Sequence, residues 1–371
     1  MIGGLLNSRW PQQILALPWR VILLVAAIGG FAVVVLYSAA GGSMTPWALN
    51  HAVRFSLFLG MALVLSQIPL KVWIGIAYPA YGAILVALVG VEVLGAVSGG
   101  SQRWLELGFI RLQPSEFMKL AIVLALARFY HYLPRGYSGK LAGIWPPLAL
   151  IGTPAALVML QPDLGTALMI VAGGLTMMFL GGLPLRWLLI PGTLGLASLP
   201  LLYNMLHDYQ KRRVLIFLNP ETDPLGAGYH ITQSKIAIGS GGLFGKGFLK
   251  GSQSHLQYLP EQQTDFVFAT MAEEWGLAGG VLLLLTYGLV LNWGIRVGLQ
   301  SQTLFARLLA VGLSMTIFFY VLINTMMVMG LAPVVGIPFP LLSYGGSAML
   351  TVMIAFGILM SVHRQRALDN L

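Results

Sequence analysis

The chain has no cysteine and very little charge. Without cysteine there is no disulfide, no thiolate metal site and no thiol nucleophile. Charged residues make up 9% of the 371 positions, against about 25% in soluble domains, so an ordinary water-soluble globular domain is excluded. Acids are scarcer than bases, with Asp+Glu 12 and Lys+Arg 21, giving a net charge of +9. The histidines His207, His230 and His255 are too scattered for metal-ligand spacing. No repeat of fixed period is visible. The glycine-rich stretch 239–247 lacks the lysine-serine pair and the soluble helix of a phosphate-binding P-loop.

What the chain has in place of charge is apolar length. It is 57% hydrophobic with a mean hydropathy of +0.81, which defines an all-α, polytopic membrane protein. The apolar runs predict about ten spans, at 20–40, 49–69, 72–97, 115–133, 142–160, 164–183, 185–207, 265–295, 303–329 and 343–363. The first is expected to be a retained span, because residues 1–18 with Arg9, Trp10 and Pro11 give no cleavage pattern. The whole chain reads as one transmembrane domain that includes a long loop at 208–264.

Basic residues set the expected orientation and account for the net charge without nucleic acid. With the N-terminus inside, Arg9, Arg20, Lys71, Arg128, Arg135, Lys140, Arg186, Arg296, Arg307, Arg364 and Arg366 lie on the inner side, against Arg103 and Arg111 in the short outer loops. Both termini are then cytoplasmic and the long loop is extracytoplasmic. Nine of the twelve acids gather toward the outer side: Glu92, Glu106, Glu116, Asp163, Asp208, Glu221, Asp223, Glu261 and Asp265. A cavity open to the outer leaflet explains that grouping; so does an inner side already served by arginine anchors. Glu273 and Glu274 are expected deeper in the eighth span.

Five features could carry chemistry. Asp265 stands where the long loop becomes a span, as a general base or a divalent-cation ligand, or as a helix-start acid with Thr264 as cap. Glu116 and Lys119 share a helix face at i and i+3, as a neutralising pair or part of a site where Lys119 meets phosphate. Gln161-Pro162-Asp163-Leu164-Gly165-Thr166 opens the sixth span, and Asp163 is either a helix-start residue or a site acid. Arg103-Trp104 suits a lipid headgroup or phosphate, and equally an aromatic-belt anchor. The loop bases Lys211, Arg212, Arg213, Lys235, Lys246 and Lys250 suit an anionic lipid-linked substrate or plain headgroup attraction. Two further segments depart from plain span: 233–238 predicts a short amphipathic helix on the membrane surface, and 339–347, with its proline and paired glycines, predicts irregular backbone buried by protein or lining a cavity.

Taken together these motifs resemble the SEDS family (shape, elongation, division and sporulation). The matching segments are Arg103-Trp104, Gln113-Pro114-Ser115-Glu116 with Lys119, Gln161 through Thr166, Asp208-Tyr209-Gln210 with Arg213, Asp223 through Tyr229, Gln233-Ser234-Lys235, Leu259 through Phe266, and Pro338 through Ser347. Lys235 and the stretch 238–242 look closer to the family's elongation members than to its division members. The resemblance implies a peptidoglycan glycosyltransferase of the bacterial inner membrane that polymerises lipid II. It implies a class B penicillin-binding protein as partner, and Asp265 as base or ligand to Mg2+ or Mn2+. It places Arg103, Glu116, Lys119, Asp163, Arg213 and Lys235 against the substrate. Competing expectations are a lipid II flippase and a non-catalytic scaffold for the transpeptidase.

Overall fold

The structure is a computed structural model that describes residues 16–98, 101–107, 110–198, 211, 215–220, 223, 226–256, 258–259 and 261–369. Long helices form where the apolar runs predict them. They are α1 (Trp19–Ala39), α2 (Ala48–Leu65), α3 (Leu70–Leu94), α4 (Pro114–Tyr132), α5 (Leu141–Leu160), α6 (Leu164–Leu180), α7 (Arg186–Ala197), α10 (Val267–Leu299), α11 (Leu304–Val328) and α12 (Gly346–Asp369). The long loop contributes α8 (Ala227–Gly241) and the single turn α9 (Ser252–His255). Among the described residues, seven helices are long and apolar enough to cross a membrane; α4 carries charge, and α6 and α7 are shorter. The chain is a multi-pass helical membrane protein.

The α3–α4 connection is not plain loop. Short antiparallel strands β1 (Ala96–Ser98), β2 (Ser101–Leu107) and β3 (Ile110–Leu112) form a three-stranded sheet in the order β1-β2-β3. Three-residue β1 and β3 leave no periodicity to read in sequence, and β2 does not strictly alternate apolar and polar residues.

Inside the bundle, α4, α11 and α12 are the most enclosed helices, while α2 and α3 keep much of their surface outward. Three of the span prolines are accommodated in one way. A proline cannot donate to the carbonyl four residues earlier, and in hydrocarbon that carbonyl needs another donor. Pro79 frees Gly75 O, which accepts from Arg128 Nη1 at 3.0 Å. Pro147 frees Gly143 O, which accepts from the Tyr130 hydroxyl at 3.3 Å. Pro154 frees Leu150 O, which accepts from the Tyr81 hydroxyl at 2.9 Å. Close approach does the rest. Gly294 and Gly298 lie one turn apart on α10, and a Cβ there would come within 2.2 Å of Ser314 Oγ and 2.6 Å of Val311 Cγ2 on α11, the small-residue packing of membrane helices.

Helix α10 corrects the expected eighth span. Its 33 residues would measure about 50 Å at 1.5 Å per residue, well over the roughly 30 Å of a hydrocarbon core. The helix is in fact broken at Gly276 (φ 65°, ψ −165°). The long loop enters the break. Lys246 N and Gly247 N donate to Glu273 O and Glu274 O at 3.0 and 3.1 Å, while Leu277 N and Ala278 N donate to Gly242 O and Leu243 O at 2.9 and 3.0 Å. Residues 277–299 remain as the continuous apolar stretch. Glu273 and Glu274 therefore lie at the break, under the loop, and not deep within a continuous span.

Helix α8 is also longer than the expected surface helix. It is docked on protein: Ile231, Ser234 and Ala237 are buried, and Ser234 Oγ donates to Val328 O at 2.7 Å.

Candidate functional site

Asp265 lies in the turn that precedes α10. The helix-cap reading does not hold. The N-cap is Phe266, without a side-chain cap, and the Thr264 hydroxyl donates to Glu261 Oε2 at 2.6 Å. Asp265 is held through its backbone. Asn324 Nδ2, from the buried interior of α11, donates to Asp265 O at 2.8 Å and to Ile337 O at 2.7 Å. One amide thus ties the acid to the α11–α12 loop. Ser343 Oγ adds a second tie, donating to Thr264 O at 2.6 Å and accepting from Phe339 N at 2.7 Å. Tyr344 N donates to Gln263 O at 2.7 Å. Gly336, at φ +70°, passes so close that a Cβ there would sit 3.5 Å from Asp265 Oδ2.

The carboxylate itself is bonded by no side chain among the described residues. Burial pushes its pKa up from 3.8 to about 6, and the neighbouring charges of Glu261 and Asp163 push the same way. Glu261 is exposed and left-handed (φ 51°), a conformation uncommon for a non-glycine residue. The ring of His230, on α8, stacks on Phe266 at 5.9 Å, and burial lowers its pKa.

Asp163 belongs to the same cluster. It is the N-cap of α6, accepting from Thr166 N at 3.1 Å through Oδ1 and from Gln113 Nε2 at 3.1 Å through Oδ2. Gly165 abuts the α11–α12 loop, since a Cβ there would be 2.6 Å from Val335 O. Arg103 reaches this corner from β2, donating to Gln161 O at 3.1 Å and Pro162 O at 2.5 Å. Two carbonyls thus occupy Nε and Nη2.

Glu116 and Lys119 form a different kind of unit. Lys119 Nζ is 2.5 Å from Glu116 Oε1 and 4.2 Å from the centre of the Tyr320 ring, and the Tyr320 hydroxyl donates to Glu116 Oε2. Lys119 is 2% exposed and Glu116 4%. Lys235 is exposed on α8, with its stem over Gly330. Arg213 lies outside the described residues.

Several participants were not picked out from the sequence. Tyr320 and Asn324 lie one turn apart in an apolar span, where a buried polar side chain is itself a signal of function or pairing. Arg54, on α2, places its guanidinium 5.0 Å from the centre of the Tyr344 ring, whose amide holds Gln263; this brings a half-buried cation to the edge of the Asp265 turn.

As for a metal, no three His, Asp or Glu side chains converge among the described residues. Among the described residues this corner offers the Asp265 carboxylate with a second, Glu261, close by. That donor set fits Mg2+ or Mn2+ completed by water and phosphate oxygens better than a closed protein cage.

The fold and site define a polytopic helical membrane protein with a half-buried acid where a long polar loop meets a span. Comparison with known proteins gives the family. The chain matches the "Cell cycle protein" profile shared by FtsW, RodA and SpoVE over residues 15–368, and it belongs to that family, the SEDS family. It is 45% identical over 346 residues to the peptidoglycan glycosyltransferase MrdB of Escherichia coli K12, covering 93% of each chain. It is 40% identical over 280 residues to the stage V sporulation protein E of Bacillus subtilis, covering 76% of each. Among solved structures, it superposes on the rod shape determining protein RodA of Thermus thermophilus with a TM-score of 0.71 at 33% identity, covering 95% of this chain and 98% of that one. A chain from a peptidoglycan synthase complex that coordinates polymerization and crosslinking gives a TM-score of 0.82 at 35% identity, with 95% and 99% covered.

Proposed function

We propose that this protein is a peptidoglycan glycosyltransferase that polymerises lipid II, with Asp265 as the acting carboxylate. The observation that carries the reading is the contrast between Asp265 and the other buried acids: its carboxylate is bonded by no side chain among the described residues, and two further acids lie near it. The 45% identity to a peptidoglycan glycosyltransferase over nearly the whole chain supports the same class.

Lipid II is a disaccharide-peptide on a polyprenyl diphosphate, so its enzyme needs an acid beside a membrane surface and cations for the leaving group. In the proposed reaction a sugar hydroxyl of one substrate attacks the anomeric carbon of another. Asp265 takes the hydroxyl proton, the glycosidic bond forms, and the bond to the diphosphate breaks with its electron pair on phosphate oxygen. A single displacement inverts the anomeric centre. A pKa near 6 suits a base working near neutrality. Arg54 stands at the turn's edge, and Arg103 and Arg213 join it as candidate cations for the diphosphate. A divalent cation on Asp265 would add charge stabilisation to the leaving diphosphate.

The gathering of acids on this side supports a reaction at the outer face of the cytoplasmic membrane, with both termini inside. The partner is a class B penicillin-binding protein that crosslinks the product. Helix breaks are also a transporter feature, but the break in α10 is closed by loop backbone, which favours an enzyme.

The test is polymerisation of purified lipid II by the protein with its partner and Mg2+ or Mn2+, with products resolved on a gel. Glycan chains from wild type and none from Asp265→Ala support the reading. Equal chains from both overturn the assignment of Asp265, and none from either, with an active bound partner, overturns the activity.

A further inference from the structure

Away from the Asp265 site, a groove of about 590 Å³ opens between α3 and α5, with α4 as its floor. Tyr78, Tyr81 and Leu85 line one wall, Trp145 and Leu150 the other, and Phe129 the base. The residues of α3 recur at i, i+3 and i+7, so one helix face forms that wall. The carbonyls freed by Pro79 and Pro154 are bonded to Arg128 and Tyr81, and apart from Thr153 the lining side chains are ring and aliphatic. It suits a hydrocarbon chain.

The end at which the groove lies settles the headgroup. Helices α3 and α4 run antiparallel, joined at their other end by the small sheet, so the start of α3, the end of α4 and the start of α5 meet at one end of the bundle. Lys71, Arg128, Arg135 and Lys140 stand there, and no acid does on these elements. Arg128 stacks on Tyr78, a groove residue, at 4.7 Å, and its two carbonyl contacts use only Nη1. Lys140 sits on Tyr137 at 4.1 Å, directly before α5. Arg135 and Lys140 are exposed.

We propose that this groove is a binding site for an anionic phospholipid, with an acyl chain between α3 and α5 and the phosphate facing Arg128, Arg135 and Lys140. The site is separate from the reaction centre, and the proposal does not depend on the proposed activity. A lipid bound there would brace the two helices whose far ends meet where Gln161 Nε2 donates to Leu88 O at 3.1 Å, beside Asp163.

Trp145, 66% exposed in the protein alone, is a built-in reporter. The full chain is reconstituted in zwitterionic nanodiscs with increasing fractions of brominated phosphatidylglycerol or brominated phosphatidylcholine. Trp145 quenching is obtained by subtracting the Trp145→Phe signal. Trp187, 49% exposed at the same end on α7, is treated the same way as the control for general lipid contact. The expected result is half-quenching of Trp145 at an anionic fraction at least about threefold below the zwitterionic one, in line with a few-fold per basic residue at a lipid surface. Trp187 should show no such preference, and Arg135→Gln/Lys140→Gln, which alters only exposed side chains, should remove the preference at Trp145. Equal quenching by both lipids, an equal preference at Trp187, or a preference that survives the double substitution would each overturn the proposal.

Discussion

Asp265 and Glu273 stand eight positions apart on one stretch of chain, yet their surroundings are opposite. Glu273 is completely buried, and its carboxylate accepts from Lys246 Nζ at 2.6 Å, Ser252 Oγ at 3.1 Å and Gln253 N at 3.0 Å. Its neighbour Glu274 accepts from Ser38 Oγ at 2.5 Å, with His255 Nε2 at 3.5 Å. Asp265 is less buried, has no side-chain partner among the described residues and lies near two other acids. Burial alone thus does not mark a functional acid here. A buried carboxylate surrounded by donors holds elements together; the one left without donors among the described residues, with its backbone clamped on both sides, is the one we propose takes a proton or a cation.

Substitution should separate the two kinds. Asp265→Asn keeps shape and removes the base, so polymerisation should fall by about a hundred- to ten-thousand-fold with the fold intact, measured as lipid II turnover beside a melting curve. Glu116→Gln should do the reverse in kind. It leaves the Lys119 ammonium buried without its countercharge, at about 3–5 kcal/mol, read as a lower melting temperature; the double change Glu116→Met/Lys119→Met should recover most of that stability. Glu273→Gln should cost less, about 1–3 kcal/mol, because Lys246 is 28% exposed and water can take over its charge. Asn324→Ala should lower turnover while also costing about 1–3 kcal/mol, since Asp265 O and Ile337 O both lose their donor.

The smallest effect concerns pH. The Asp265 pKa is raised from 3.8 to about 6, so the native state holds more protons than the unfolded chain between those values. Stability from this group therefore falls as pH rises through that window, and the ionised carboxylate weighs against folding at neutrality. Activity should instead rise with pH through about 6. Asp265→Asn should raise the melting temperature at pH 7.5 and leave it unchanged at pH 3.5. An equal shift at both pH values would mean that the carboxylate is not desolvated as described.

The spans were legible because runs of about 20 apolar residues have few other uses. The sheet between α3 and α4 was not, because two of its strands have three residues and the third does not strictly alternate apolar and polar positions. Nor was the break at Gly276, since glycine is common within spans and only the docked loop shows what this one permits. For the site, the junction position of Asp265 was visible in the chain, as were Arg103 beside Trp104 and Asp163 at the start of a span. Their convergence was not visible, because it depends on how α6 and the α11–α12 loop meet. Arg54, Tyr320 and Asn324 were passed over as isolated polar residues, although each acts across a helix-helix boundary.

The insertion of the loop into α10 also turns two amides inside a membrane helix into gauges of events outside it. Leu277 and Ala278 donate to Gly242 and Leu243 and not to their own helix, so their hydrogen-exchange protection lasts only while the loop is seated. A ligand or partner that lifts the loop would unlock those two amides first, and exchange at just those positions would time the event.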